Sequence, residues 1–173
     1  MSTPEPDERV TFERFTATWR RIMTDPLGFF ADLPETGGLG QPTTFLALCA
    51  AANAAGHVLV GRGLGGAFAV FFGQVVSAYV ASALLVLVAQ HLFEGHAGFE
   101  PTLRVVAYAA APAVFLWVPF LGALAWAYGG YLVVRGLERV QGIDTTRAVL
   151  SVLLVTGVLF VLAASRRGSP LLL

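Results

Sequence analysis

The sequence predicts an all-α integral membrane bundle of five transmembrane helices preceded by a short amphipathic N-terminal helix. Three observations carry that expectation. First, 56% of the 173 residues are hydrophobic and 13% are charged, against about 25% charged in ordinary soluble domains, and the mean hydropathy is +0.71. The apolar residues gather into blocks long enough to cross a bilayer, with the charges in the gaps between them, which argues against a large soluble core. Second, no side chain from Val105 to Val134 carries a formal charge. A straight helix from Leu103 to Leu137 would measure about 52 Å, against a hydrocarbon core of about 30 Å, so the segment must fold back on itself. Pro119 to Gly122 is the place, because proline removes a backbone donor and glycine frees the chain just after it. Third, arginine is unevenly placed. With the N-terminus inside, Arg9, Arg14, Arg20, Arg21, Arg104, Arg135, Arg139 and Arg147 fall on the cytoplasmic side and Arg62, Arg166 and Arg167 on the other. The positive-inside rule therefore selects N-in and C-out.

The elements follow in order. Residues 1–42 form a cytoplasmic region whose first eight residues, rich in Pro, Glu and Asp, read as disordered. Phe12, Phe15, Trp19, Ile22 and Met23 recur at helical spacing, which predicts an amphipathic helix over 9–24. It lies either on the membrane surface or on the protein's own membrane domain. Asp25-Pro26 opens a short helix over 26–33, with aspartate as cap and proline in the first turn. A glycine-rich linker, Thr36 to Pro42, leads to the membrane domain, 43–165. Its spans are expected at 43–60, 67–90, 103–118, 120–134 and 148–164, with a turn over Gly61 to Gly66 and a short tail over 166–173. The first span is built largely from alanine, and small residues let helices approach closely in lipid, so it is expected at the centre. The polar first forty residues show no cleavable signal peptide.

Several chemistries are disfavoured. Net charge is zero, which does not suit nucleic acid, and the single Cys49 excludes intramolecular disulfides and thiolate metal clusters. His91 and His96 are five apart rather than four, so they do not form a zinc helix, and Ser77 and Ser82 lack a nucleophile turn. No metal, cofactor or catalytic activity is expected. The polar residues inside the spans are the functional candidates, because a polar group in hydrocarbon is costly unless paired. Asn53 and His57 are four apart and share a helix face, while Gln74 lies deep enough in the second span to need a partner. Tyr108 and Pro112 are also four apart, and the proline leaves a carbonyl near Tyr108 without its helical donor, which predicts a kink. These four polar side chains, Asn53, His57, Gln74 and Tyr108, either pair structurally or line a path. Arg135, Arg139 and Arg147 at the membrane edge are candidates for a lipid-headgroup or partner contact.

Taken together, Pro26 with Phe29 and Phe30, the run RVVAYAAAP from Arg104 to Pro112, the Pro-Phe-Leu-Gly turn at Pro119 to Gly122, and YLVVRGLERVQGIDTTRAV from Tyr131 to Val149 resemble the Yip domain family. In eukaryotes that family comprises the Ypt/Rab-interacting proteins of the Golgi and endoplasmic reticulum. The resemblance runs from Pro26 onward and is closest to prokaryotic-type members, which implies a cytoplasmic-membrane protein. It implies a multi-pass helical fold and a membrane-organising or trafficking-type scaffold; the short, small-residue spans and the amphipathic N-terminal helix add membrane lipids and a second copy of the chain as expected partners. Where eukaryotic members carry an Asp-Leu-Tyr-Gly-Pro element, this chain reads Gly38-Leu39-Gly40-Gln41-Pro42, and its N-terminal region is about forty residues. A GTPase partner therefore does not carry over. The alternative reading is a small transporter or channel subunit with a polar path through the bundle.

Overall fold

The computed structural model describes residues 8–34 and 36–167. The polar start over 1–7 and the tail beyond Arg167 lie outside the described residues, as do the side chains of Arg9, Arg166 and Arg167. The described elements are helices: α1 Glu8–Thr24, α2 Pro26–Ala31, α3 Gly40–Leu59, α4 Gly63–Phe93, α5 Phe99–Ala109, a 3-10 segment Ala111–Phe115, α6 Leu121–Gln141 and α7 Thr145–Arg167. Three stretches are long and apolar enough to cross a membrane, Gly40–Leu59, Gly63–Phe93 and Thr145–Ser165. Of their apolar windows 44%, 17% and 17% are buried respectively, so α3 is the central helix. The outer two carry large apolar side chains facing outward. Phe68, Phe72, Val76 and Val80 form a row at four-residue spacing along α4, and Leu153, Phe160 and Val161 stand out from α7. Such patches mark a surface built for hydrocarbon.

Local chemistry explains most boundaries. The Asp25 carboxylate accepts from the Gly28 N–H at 3.0 Å and Pro26 occupies the first turn of α2, so α1 and α2 are separate helices. The α3–α4 reversal is tighter than the expected Gly61 to Gly66 turn. Gly61 and Gly63 both adopt positive φ, +84° and +68°, which completes the turn by Arg62 and starts α4 four residues early. At its other end α4 runs past Gln90 to Phe93. It stops at Glu94, which is left-handed at φ +58°, with the Gly95 N–H donating to the Ala89 carbonyl at 2.8 Å.

The folded-back segment is not a pair of straight rods. Pro112 cannot donate a helical hydrogen bond, so α5 ends at Ala109 and the chain continues as a 3-10 segment, closed by Ala113 N–H to Ala110 O at 2.9 Å. Beyond it, the Leu121 N–H donates to the Pro119 carbonyl at 2.7 Å around Phe120, whose φ of +62° and ψ of −50° define a strained γ-turn. Gly122 follows, and a Cβ there would lie 2.6 Å from the Leu116 carbonyl oxygen. Two further glycines, Gly129 and Gly136, follow at seven-residue intervals on α6. Gly129 meets Ala109 and Pro112, and Gly136 meets Val105, so α6 packs against α5 almost backbone to backbone.

The amphipathic N-terminal helix rests on this bundle. Ile22 is fully buried beneath it, the Phe15 ring lies 5.2 Å from that of Phe45, and the Trp19 indole donates to the Ala111 carbonyl at 2.8 Å. The opposite face, including Phe12, is exposed.

Candidate functional site: polar groups inside the bundle

The α3–α4 hairpin brings two of the expected polar residues, Asn53 and Gln74, together. The Asn53 amide Nδ2 donates to Gln74 Oε1 at 2.9 Å, and Asn53 is only 4% exposed. Nearer the start of α3, the Thr43 and Tyr79 hydroxyls bond at 2.8 Å. These pairs cross between the same two helices, as expected where a polar group in an apolar setting must find its partner on a neighbouring helix. Pairing is incomplete, because Asn53 Oδ1, Gln74 Nε2 and His57 Nδ1 are buried without a hydrogen-bond partner. Gln74 also lines a groove of about 450 Å³ bounded by α4, α5, α6 and α7, whose walls are mainly alanine, valine, leucine and glycine. Ser77 and Thr156 are its other polar members. Beside Asn53, Gly56 supports the Trp117 indole so closely that a Cβ would overlap the ring.

Tyr108 does not join this group. It is buried between Phe29 and Phe45, ring centroids 5.1 and 5.2 Å away, and lines a separate cavity of about 580 Å³ between α1 and α3. A single path through Asn53, His57, Gln74 and Tyr108 is therefore not what the packing forms. Pro112 sits at the α5 to 3-10 junction, while Pro119 and Gly122 flank the strained turn at Phe120.

The basic candidates also separate. Arg135 bonds Glu138 at 2.9 Å within α6 and lies over the Tyr131 ring at 5.4 Å. The Glu138 hydrogen bond, reinforced by Tyr131, raises the Arg135 guanidinium above its already high ordinary value, so it stays charged. Arg147 pairs with Asp144 at 3.0 Å and donates to the Phe93 carbonyl at 3.3 Å, fastening the start of α7 to the end of α4. Arg139 lies one turn beyond Arg135 on an exposed face.

Among the buried polar residues that sequence reasoning did not single out, Arg104 and Gln141 each tie distant parts of the chain together. Arg104, 5% exposed, donates to the Gly38 carbonyl at 2.7 Å and to Glu100 at 3.3 Å, and Glu100 in turn accepts from the Gly38 N–H at 2.8 Å. The four-residue Glu100–Arg104 spacing was the available signal. Gln141, fully buried, accepts from the Ala97 N–H at 3.0 Å and donates to Thr102 at 3.0 Å, holding the α4–α5 connection on the end of α6. His91 and His96 lie near this end, and among the described residues no group of three or more His, Cys, Asp or Glu side chains is placed to hold a metal.

Apolar-faced helices, polar pairs sealed between them and a broken hairpin at the centre define a membrane-embedded helical protein. A family model described as the Yip1 domain matches residues 20–165, and the chain belongs to that family. No curated protein and no solved structure matches it.

Proposed function

We propose that this protein is a non-catalytic, membrane-organising scaffold that crosses the bilayer five times, with its N-terminus inside and its C-terminus outside. The observation that carries this reading is the unequal length of neighbouring crossings. The arm made of α5, eleven residues, and the five-residue 3-10 segment rises about 26 Å at 1.5 and 2.0 Å per residue, whereas the thirty-one residues of α4 rise about 46 Å. An annular bilayer about 30 Å thick cannot match both without thinning, tilt or bending. Counting that arm and the uncharged part of α6 as crossings gives five. The small-residue groove between α4, α5, α6 and α7 suits a lipid tail or a second copy of the chain, and no GTPase contact is part of the proposal.

Reconstitution tests the reading. Vesicles carrying increasing amounts of the protein should change in curvature and lipid order, with self-association rising in parallel. Unchanged shape, order and oligomeric state across the concentration range would remove it. A transport role has one specific observation in its favour, the unpartnered Asn53, Gln74 and His57 atoms. His57→Ala and Gln74→Leu variants with the same solute flux as the parent would end that alternative.

A further inference from the structure

The cavity between α1 and α3 has a charge and shape that no role assigned so far uses. Arg14, Thr18, Gly40, Gln41, Thr44 and Tyr108 contribute its polar atoms, and no carboxylate lines it. Three features point at an anion. Arg14 forms no ion pair among the described residues. The twenty-residue helix α3 begins there without a side-chain cap, and Pro42 in its first turn has no N–H, so the Gly40 and Gln41 N–H groups are open donors at the positive end of the helix dipole. Independently of the helix end, Tyr108 is 91% buried by its 9% exposure, and its hydroxyl has no hydrogen-bond partner among the described residues. A second furrow shares Gly40, Thr44 and Leu48 with this cavity and continues past Ala47 and Ala51 to Phe71 of α4. From Gly40 to Ala51 it follows α3 for about 16 Å, the scale of an acyl chain.

We propose that this cavity binds the phosphate of an anionic membrane phospholipid, with Arg14 and the first turn of α3 holding the charge, the Tyr108 hydroxyl donating from the floor, and one acyl chain lying in the furrow along α3. The furrow is what favours a lipid over free phosphate, since a soluble anion has no use for an apolar extension. The proposal rests on α3 crossing the membrane, not on the organising role.

The test uses the full chain in nanodiscs of equal parts phosphatidylglycerol and phosphatidylcholine with identical tails, and counts retained lipids by native mass spectrometry. The parent should keep one phosphatidylglycerol in preference to phosphatidylcholine, and excess inorganic phosphate should not displace it. Arg14→Gln should lower that preference about tenfold, the factor for one hydrogen bond to a charged group, and Tyr108→Phe should lower it several-fold. Arg20→Gln, on α1 but outside the cavity, should leave it unchanged. No preference in the parent, an equal loss in Arg20→Gln, or displacement by inorganic phosphate would each overturn the proposal. Should Tyr108→Phe fail to fold, the exposed Arg14 and Arg20 pair still decides it. Vesicles that keep their shape would sink the organising role and leave this result standing.

Discussion

Asn53 donates its amide hydrogen to Gln74 across 2.9 Å, joining α3 to α4 within an otherwise apolar pair of helices. Removing one partner strands the other in hydrocarbon, whereas removing both leaves an apolar contact. Asn53→Leu and Gln74→Leu should each destabilise the protein by about 0.6 to 1.7 kcal/mol in micelles, and the double variant by less than their sum. Denaturant unfolding of the four proteins measures this, and strict additivity would show that the pair carries no coupling.

Trp19 fastens α1 to the bundle through the Ala111 carbonyl, which the 3-10 segment offers outward. Trp19→Phe keeps the ring contact with Phe115 and loses only the hydrogen bond, worth about 1 kcal/mol. Amide exchange should rise across 12–24 and stay constant in α3 and α4. A uniform rise through the whole chain would mean that α1 is not a separable unit.

The glycines of α6 should differ sharply. A Cβ at Gly136 overlaps Val105, at Gly129 it makes ordinary contacts of 3.5 and 3.6 Å, and at Gly130 it meets nothing. Gly136→Ala should cost about 1–3 kcal/mol and be relieved by Val105→Ala, Gly129→Ala should be nearly neutral, and Gly130→Ala should gain up to about 1 kcal/mol from helix propensity. Thermal unfolding of the series orders them.

Gln141 holds the connection between α4 and α5. Its carboxamide bonds both the N–H and the C=O of Ala97, at 3.0 and 3.2 Å, and also Thr102. Gln141→Leu should cost about 2–3 kcal/mol and open the 94–98 segment to limited proteolysis. Resistance equal to the parent's would place the restraint elsewhere.

The sequence made the helical class, the fold-back at Pro119 and the pairing needs of Asn53 and Gln74 legible, because each follows from one residue set against an apolar background. What it did not make legible depends on distant partners. Arg104 counted only as a cytoplasmic-side charge at the start of the third expected span, because its acceptor, Gly38, is 66 residues away. Gln141 looked like part of a charged loop, and only the return of Ala97 onto α6 buries it. Pro112 announced a kink, and the chain instead tightens into a 3-10 segment that packs beside Gly129 and accepts from Trp19 at Ala111, neighbours distant in sequence. Tyr108 shared a helical period with Pro112, yet its ring packs between Phe29 of α2 and Phe45 of α3, apart from the Asn53 pair.

The central claim, five crossings with the N-terminus inside, is tested most directly by cysteine accessibility. Cys49 is the only cysteine and is buried, so Cys49→Ala provides a blank background. Single cysteines at Thr36, Arg62, His96, Phe120, Thr145 and Ser165 should label with an impermeant maleimide in alternation, from the inside at Thr36, His96 and Thr145 and from the outside at Arg62, Phe120 and Ser165. Labelling of Phe120→Cys from the same side as His96→Cys and Thr145→Cys would contradict the account, because the α5 to α6 hairpin would then not cross the membrane.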